Sequence, residues 1–253
     1  MRVVLVQEAS SLDAAENRER LGTLVPEGAD LVVLPEAFAR DFGEPGSDVA
    51  PHAEPLDGPF TAEVERVARA RGTTVVAGMF ERSGGSSDGT PYNTVVVRGG
   101  AHADYRKIHL YDSFGYRESD VLAAGPISPV TFEVGGLTVG LMTCYDLRFP
   151  ELARLLVDAG AEAIVVPAAW VAGPRKVEHW TTLLRARAIE NTVHVVGVGQ
   201  PGPRYTGHSM VVGPLGDVLL EGGDSAETLR ADLDPGAVAE ARTTNPSLAN
   251  RRL

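Results

Sequence analysis

The chain has 253 residues, 43% hydrophobic and 23% charged, with a formal net charge of −11 and a single cysteine. That cysteine count excludes an internal disulfide framework and a cysteine-based zinc site, and the acidic balance argues against nucleic acid or an anionic membrane as a partner. No apolar run approaches the ~20 residues of a membrane span, and the N-terminal run Val3–Val6 is too short for a signal-peptide core. The expected location is cytoplasmic, and 1–253 reads as one domain.

Val3–Gln7 predicts a first strand, and Asp13 is placed to cap a helix reaching about Leu21. Leu31–Leu34, a continuous apolar run between Asp30 and Pro35, predicts a buried strand with Glu36 just past its end. Residues 40–58, rich in Gly, Pro, Asp and Glu, read as a surface loop. Thr61 is a candidate cap for a helix over Ala62–Arg71 that stops at Gly72. Thr73–Glu81 and Tyr92–Arg98 read as a hairpin joined by the long turn SGGSSDG. Ala101–Lys107 is expected to be another strand, and 108–129 a loop carrying Glu118.

Val130–Val134 and Leu137–Thr143 predict a hairpin turned by Gly135-Gly136. Cys144 follows, and then Pro150 and Glu151, which suit the first turn of a helix whose apolar face is Leu152, Leu155, Leu156 and Ala159. AEAIVVPAAW, 161–170, predicts a second buried strand, 172–177 a loop, and about Glu178–Asn191 a helix. Val193–Gly199 reads as a strand, Ser209–Val212 and Asp217–Leu220 as a hairpin, Thr228–Asp232 as a last strand and Pro235–Arg242 as a short helix. The tail, TTNPSLANRRL, has no packing period and is expected to dock on a partner.

ADLVVLPEAF at 29–38 lines up with AEAIVVPAAW at 161–170, and RVVLVQE near the N-terminus with LTVGLMTC at 137–144. This predicts a duplicated β-α-β half. Glu36 then sits at a strand end where the second copy has Ala168, and each half supplies part of one site.

A lone cysteine is more often a small buried hydrophobe than a nucleophile. Cys144, however, sits where a strand turns into a helix, a junction that exposes a side chain beside free backbone N–H groups. Glu36 and Lys107 also fall at or near strand ends, where α/β sheets place ligands. A carboxylate can take the thiol proton, and an ammonium can hold a developing oxyanion. His109, His179, His194 and His208 offer a Cys–His alternative, although no nucleophile context of a Cys–His family is present.

These segments resemble the nitrilase superfamily of carbon–nitrogen hydrolases over essentially the whole chain. The resemblance rests on LPEAF around Glu36, YRKIHLYD around Lys107 and TCYDLRFPELARLL around Cys144, with HWTTLLRARAIEN and GHSMVVGPLGD in support. It implies an α/β fold, a four-layer α-β-β-α sandwich built from two similar halves. It implies Glu36 as general base, Lys107 as oxyanion stabiliser, Cys144 as nucleophile and Glu118 as a second glutamate orienting Lys107 and substrate. The Tyr145 N–H would share the oxyanion, and no metal or organic cofactor is implied. Tyr145-Asp146, where true nitrilases usually carry Trp-Glu, resembles the amidase-like Nit branch. That branch hydrolyses small carboxylate-bearing amides such as 2-oxoglutaramate (omega-amidase) or deaminated glutathione, through a cysteine thioester and with release of ammonia. Hydrolysis of N-carbamoyl amino acids or amines is the alternative within the superfamily, and a non-catalytic binding protein a further one. The substrate carboxylate calls for a cationic anchor. Arg117, Arg175 and Lys176 lie in candidate pocket loops, Trp170 is a further pocket candidate, and Arg148 is equally placed to pair with Asp146 or Glu151. The expected partners are a small-molecule amide and further copies of the chain, as a homodimer or larger homo-oligomer.

Overall fold

The computed structural model describes residues 1–82, 84, 89–113 and 115–252. Residues 83 and 85–88 of the expected long turn, 114 of the Glu118 loop and 253 of the tail lie outside the described residues. Strand β1 is Arg2–Gln7, and the Asp13 side chain accepts the Ala15 and Glu16 N–H groups to start helix α1, Ala14–Leu24. Strand β2, Leu31–Val33, is followed by helix α2, Pro59–Arg71. Thr61 does not cap α2. The helix begins a turn earlier at Gly58, with Pro59 preset for the first helical position, and the buried Thr61 hydroxyl faces Met79 Sδ at 3.4 Å. Strands β3, Thr74–Glu81, β4, Tyr92–Gly99, and β5, Ala103–Arg106, complete this run. The loop beyond holds two short strands, β6, Asp112–Ser113, and β7, Tyr116–Arg117, and a single 3-10 turn at Glu118–Asp120.

The second run opens with β8, Thr131–Val134, and β9, Leu137–Leu141, turned by Gly135 and Gly136, both at positive φ. A 3-10 turn at Cys144–Arg148 leads into α3, Pro150–Asp158. Then come β10, Ala163–Ala168, α4, Lys176–Asn191, β11, His194–Gly199, β12, Met210–Val212, and β13, Val218–Glu221. Strand β14, Glu227–Asp232, and helix α5, Pro235–Thr244, follow. The tail packs on its own chain: Leu248 leans on the core and Arg251 grips Asp158 through two contacts of 2.7 and 3.1 Å.

The strands form two six-stranded sheets, ordered β14-β1-β2-β3-β4-β5 and β8-β9-β10-β11-β12-β13. Read in those directions both sheets have the same pairings: antiparallel, parallel, parallel, antiparallel, antiparallel. The edge position that β8 fills beside β9 is filled beside β1 by the distant β14, in register from Arg2↔Asp232 to Gln7↔Glu227.

Side-chain alternation assigns the layers. Val4, Val6, Val32, Leu34 and Val75 pack with Leu21 of α1 and Phe60 and Val64 of α2. Val3, Leu5, Leu31, Val33 and Val76, from the opposite face, join Val139, Leu141, Val165 and Val196 in the core between the sheets. On the far side of the second sheet, Gly197 gives Trp180 and Leu184 of α4 the space a β-carbon would take. The order is helices, sheet, sheet, helices. Among the described residues no helix is long and apolar enough to cross a membrane.

Candidate active site

The strand β2 segment stops early because the chain folds over β3. Ala37 takes a left-handed φ of 54°, and a β-carbon at Gly78 would lie 2.4 Å from Ala37 N and 2.7 Å from Glu36 Cα. Only glycine leaves room for this turn. It delivers the buried Glu36 carboxylate toward the second half, where Oε2 accepts the Ala169 N–H at 2.7 Å. Gln200 Nε2 donates to the Glu36 carbonyl at 3.0 Å, which ties the same turn to the end of β11.

Lys107 follows β5 and is anchored by its N–H to the Asn93 carbonyl and by its carbonyl to Gly125 N–H, both 2.8 Å. Its ammonium is buried and donates to Glu36 Oε1 at 3.0 Å and to Glu118 Oε2 at 2.8 Å. Glu118, held by the 3-10 turn, also accepts the Tyr111 N–H at 2.6 Å. Asn93 Nδ2 bridges the two acids, 2.7 Å from Glu36 Oε1 and 3.1 Å from Glu118 Oε1. Burial alone would lower the Lys107 pKa. The Glu118 and Glu36 charges outweigh it and hold the ammonium well above the usual lysine range.

Cys144 lies in the left-handed region, φ 47°, at the start of its 3-10 turn. Thr143 and Asp146 cap this turn reciprocally, and the Thr143 hydroxyl donates to the Pro167 carbonyl at 2.9 Å. The first hydrogen bond of the turn is Asp146 N–H to Thr143 C=O, so the Cys144 and Tyr145 N–H groups precede it at the start of the turn. Burial, and then the neighbouring Glu36 charge, push the thiol well above the usual cysteine range, while Lys107 pulls it back. The thiol therefore rests protonated at neutral pH and needs a base to react.

Glu36, Lys107, Glu118 and Cys144 meet at one cavity of about 550 Å³. Tyr145 and Trp170 also line it. Arg117 and Arg175 do not. The Arg117 side chain is 68% exposed beside Asp120, and Arg175 is an exposed residue at the start of α4. Besides Lys107, the cations that line the cavity are Arg148, Lys176 and Arg204, and Glu44 lines it too. Arg148 pairs with neither Asp146 nor Glu151. Its guanidinium lies 4.8 Å from the Trp170 ring centroid, and its buried Nε has no hydrogen-bond partner. Lys176 donates to the Tyr111 hydroxyl at 3.0 Å, and Arg204 binds Asp41 at 3.0 Å and the Gly43 carbonyl. Among the described residues no histidine lines the cavity. The four candidates find other partners: His109 the Asp146 carboxylate, His194 the Asp234 carbonyl, His179 the Arg148 guanidinium and His208 the Glu221 carboxylate.

Sequence reasoning missed Asn93, Gln200 and Arg204. Asn93 left one signal, a polar residue that is poor in strands immediately before the run Thr94–Val97. The other two depend on loops whose path only the fold reveals.

The family profile for carbon–nitrogen hydrolases matches residues 2–243. A Mycobacterium tuberculosis protein described as a hydrolase is 41% identical over 274 residues, spanning 99% of this chain and 95% of that one. The deaminated glutathione amidase of Escherichia coli O157:H7 is 38% identical over 244 residues, covering 94% and 92%. The crystal structure of Saccharomyces cerevisiae Nit3, described as a member of branch 10 of the nitrilase superfamily, superposes with a TM-score of 0.85 at 28% identity, covering 100% and 97%. With this fold, this cavity and these relatives, the chain belongs to the carbon–nitrogen hydrolases of the nitrilase superfamily, enzymes that act on non-peptide C–N bonds, and to their amidase-like Nit branch.

Proposed function

We propose that this enzyme hydrolyses the amide of a small carboxylate-bearing acid, of the deaminated-glutathione or omega-amide class, through a thioester on Cys144. The observation that carries this reading is the convergence of Cys144 with the buried Glu36–Lys107–Glu118 network at a largely aromatic and apolar cavity whose lining also includes Arg148, Lys176, Arg204 and Glu44. Glu36 takes the Cys144 proton as sulfur attacks the amide carbon. Lys107 Nζ and the Tyr145 N–H hold the oxyanion, and Glu118 fixes Lys107. Collapse breaks the C–N bond, with Glu36 returning the proton to the leaving nitrogen. That nitrogen departs as ammonia from a primary amide and as an amine from a substituted one. Glu36 then deprotonates a water that attacks the thioester, and the thiol and a carboxylic acid are restored.

The cavity volume suits a substrate of several functional groups. Arg148, over the Trp170 ring with an unpartnered Nε, is the foremost anchor for its carboxylate, with Lys176 and Arg204 also lining the cavity. We further infer that the enzyme works in a reducing compartment, which is the cytoplasm, since its one cysteine must stay a thiol. We also infer that it assembles at least as a homodimer, in keeping with large apolar side chains exposed along α3, α4 and β13, including Leu155, Ile189 and Leu219. The test is release of ammonia or amine from small ω-amides, deaminated glutathione, N-carbamoyl amino acids and nitriles, with Cys144→Ala beside the native enzyme. Release from carboxylate-bearing amides alone, abolished by the substitution, is expected. Release that survives the substitution contradicts the mechanism.

A further inference from the structure

Asp146 is fully buried, is absent from the cavity lining and takes no part in the steps above. It nevertheless collects donors from both halves. Oδ2 accepts the Tyr105 hydroxyl at 2.7 Å and the Thr143 N–H at 3.0 Å. Oδ1 accepts the His109 N–H at 3.1 Å and the His109 ring Nδ1–H at 2.8 Å. The sequence positions matter. Tyr105 and His109 stand two residues before and two after Lys107, while Thr143 and Asp146 bracket Cys144. One carboxylate thus holds the chain on each side of the ammonium and closes the turn that carries the thiol. The His109 ring is fixed further by stacking on Phe149, with centroids 3.8 Å apart and planes at 6°. Burial and the Asp146 charge hold the Tyr105 hydroxyl firmly protonated, so it stays a donor.

We propose that Asp146, acting through Tyr105 and His109, is a positioning residue that sets Cys144 against Lys107 across the seam between the two halves. This rests on the roles given above to Cys144 and Lys107. A carboxylate accepts at all four contacts, whereas an asparagine amide opposes two of them with its own N–H groups. A displacement of the reacting groups by about 1 Å costs roughly 100-fold in rate, whereas a cavity that keeps its shape keeps its affinity.

The experiment compares Asp146→Asn, Tyr105→Phe and His109→Asn with the native enzyme. It reads kcat and KM separately, and the rate of Cys144 alkylation by iodoacetamide, all at a temperature where melting curves show each variant folded. The expected result for Asp146→Asn is a kcat lower by about 100-fold, KM within about twofold, and an alkylation rate that departs from the native one. Tyr105→Phe and His109→Asn should show the same pattern at roughly 5- to 10-fold. If Asp146→Asn does not fold, the two peripheral variants decide: Tyr105→Phe deletes one hydrogen bond at the edge of the network, and His109→Asn deletes the ring contact together with its stacking on Phe149. Native kcat and alkylation in folded variants, with only a lowered melting temperature, overturn the positioning role. Turnover that survives Cys144→Ala overturns the proposed function instead, so the two failures are distinguishable.

Discussion

The two halves share a pairing pattern and a strand motif, yet the ends of their second strands do opposite things. VVLPEAF leaves its sheet after Val33 and turns back through Ala37, while IVVPAAW stays paired through Ala168↔Gly199. The strand registers explain the divergence. With Val33 opposite Val76 and Val165 opposite Val196, Gly78 in one half occupies the place of Val198 in the other. Glycine lets the first chain fold down onto its neighbour and lift Glu36 over the seam. Valine keeps the second chain extended, so Ala169 offers a backbone N–H, which Glu36 accepts. The two similarly paired halves are therefore asymmetric at this seam: one carries the Glu36 carboxylate and the Lys107 ammonium, and the other the thiol and the donors around it.

The sharpest break of this asymmetry is Cys144→Ala, which removes the second half's reactive atom. Turnover should fall by at least about 10⁴-fold with the melting curve intact, since loss of a nucleophile leaves only binding and oxyanion stabilisation. Glu36→Gln, which removes the carboxylate we propose as base in the first half, should cost roughly 10²–10⁴-fold. It should also move the thiol in the opposite sense to activity. The native thiol pKa is raised by burial and by the Glu36 charge, so thiolate forms only above the free value of about 8.5. Deleting the charge lowers that midpoint, and absorbance at 240 nm should rise at a lower pH in the variant than in the native enzyme. Gly78→Ala makes the first half resemble the second. A β-carbon 2.4 Å from Ala37 N must displace the Glu36 turn, so we expect a loss of about 1–3 kcal/mol in urea unfolding and a marked fall in kcat. Arg148→Ala tests the cationic wall, with KM for a carboxylate-bearing amide rising by about 10-fold or more and kcat less affected. Arg117→Ala, at an exposed side chain outside the cavity, should change neither constant measurably.

The sequence carried the strands and helices well because their apolar periods are local. The motif contexts drew attention to Glu36, Lys107, Glu118 and Cys144, and these four do share one cavity. The edge strand β14 was visible as a strand, but its partner β1 lies more than 200 residues away, and no local pattern specifies that pairing. Arg117 and Arg175 illustrate the limit in the loops. A cation in a pocket loop reads the same whether it points in or out, and here the short β6–β7 ribbon and the start of α4 turn both to the surface. Asp146 was legible only as a possible partner for Arg148. Its real partners come from β5 and the segment after it, across the seam.

The central claim is that the two halves build one covalent site, and trapping the acyl enzyme tests it most directly. A rapid acid quench of native enzyme turning over a carboxylate-bearing amide, followed by intact-mass and peptide analysis, should show an increment equal to the acyl group, located on Cys144. The adduct should be absent in Cys144→Ala. Steady turnover in Cys144→Ala, or an acyl group found on another residue, would contradict the account.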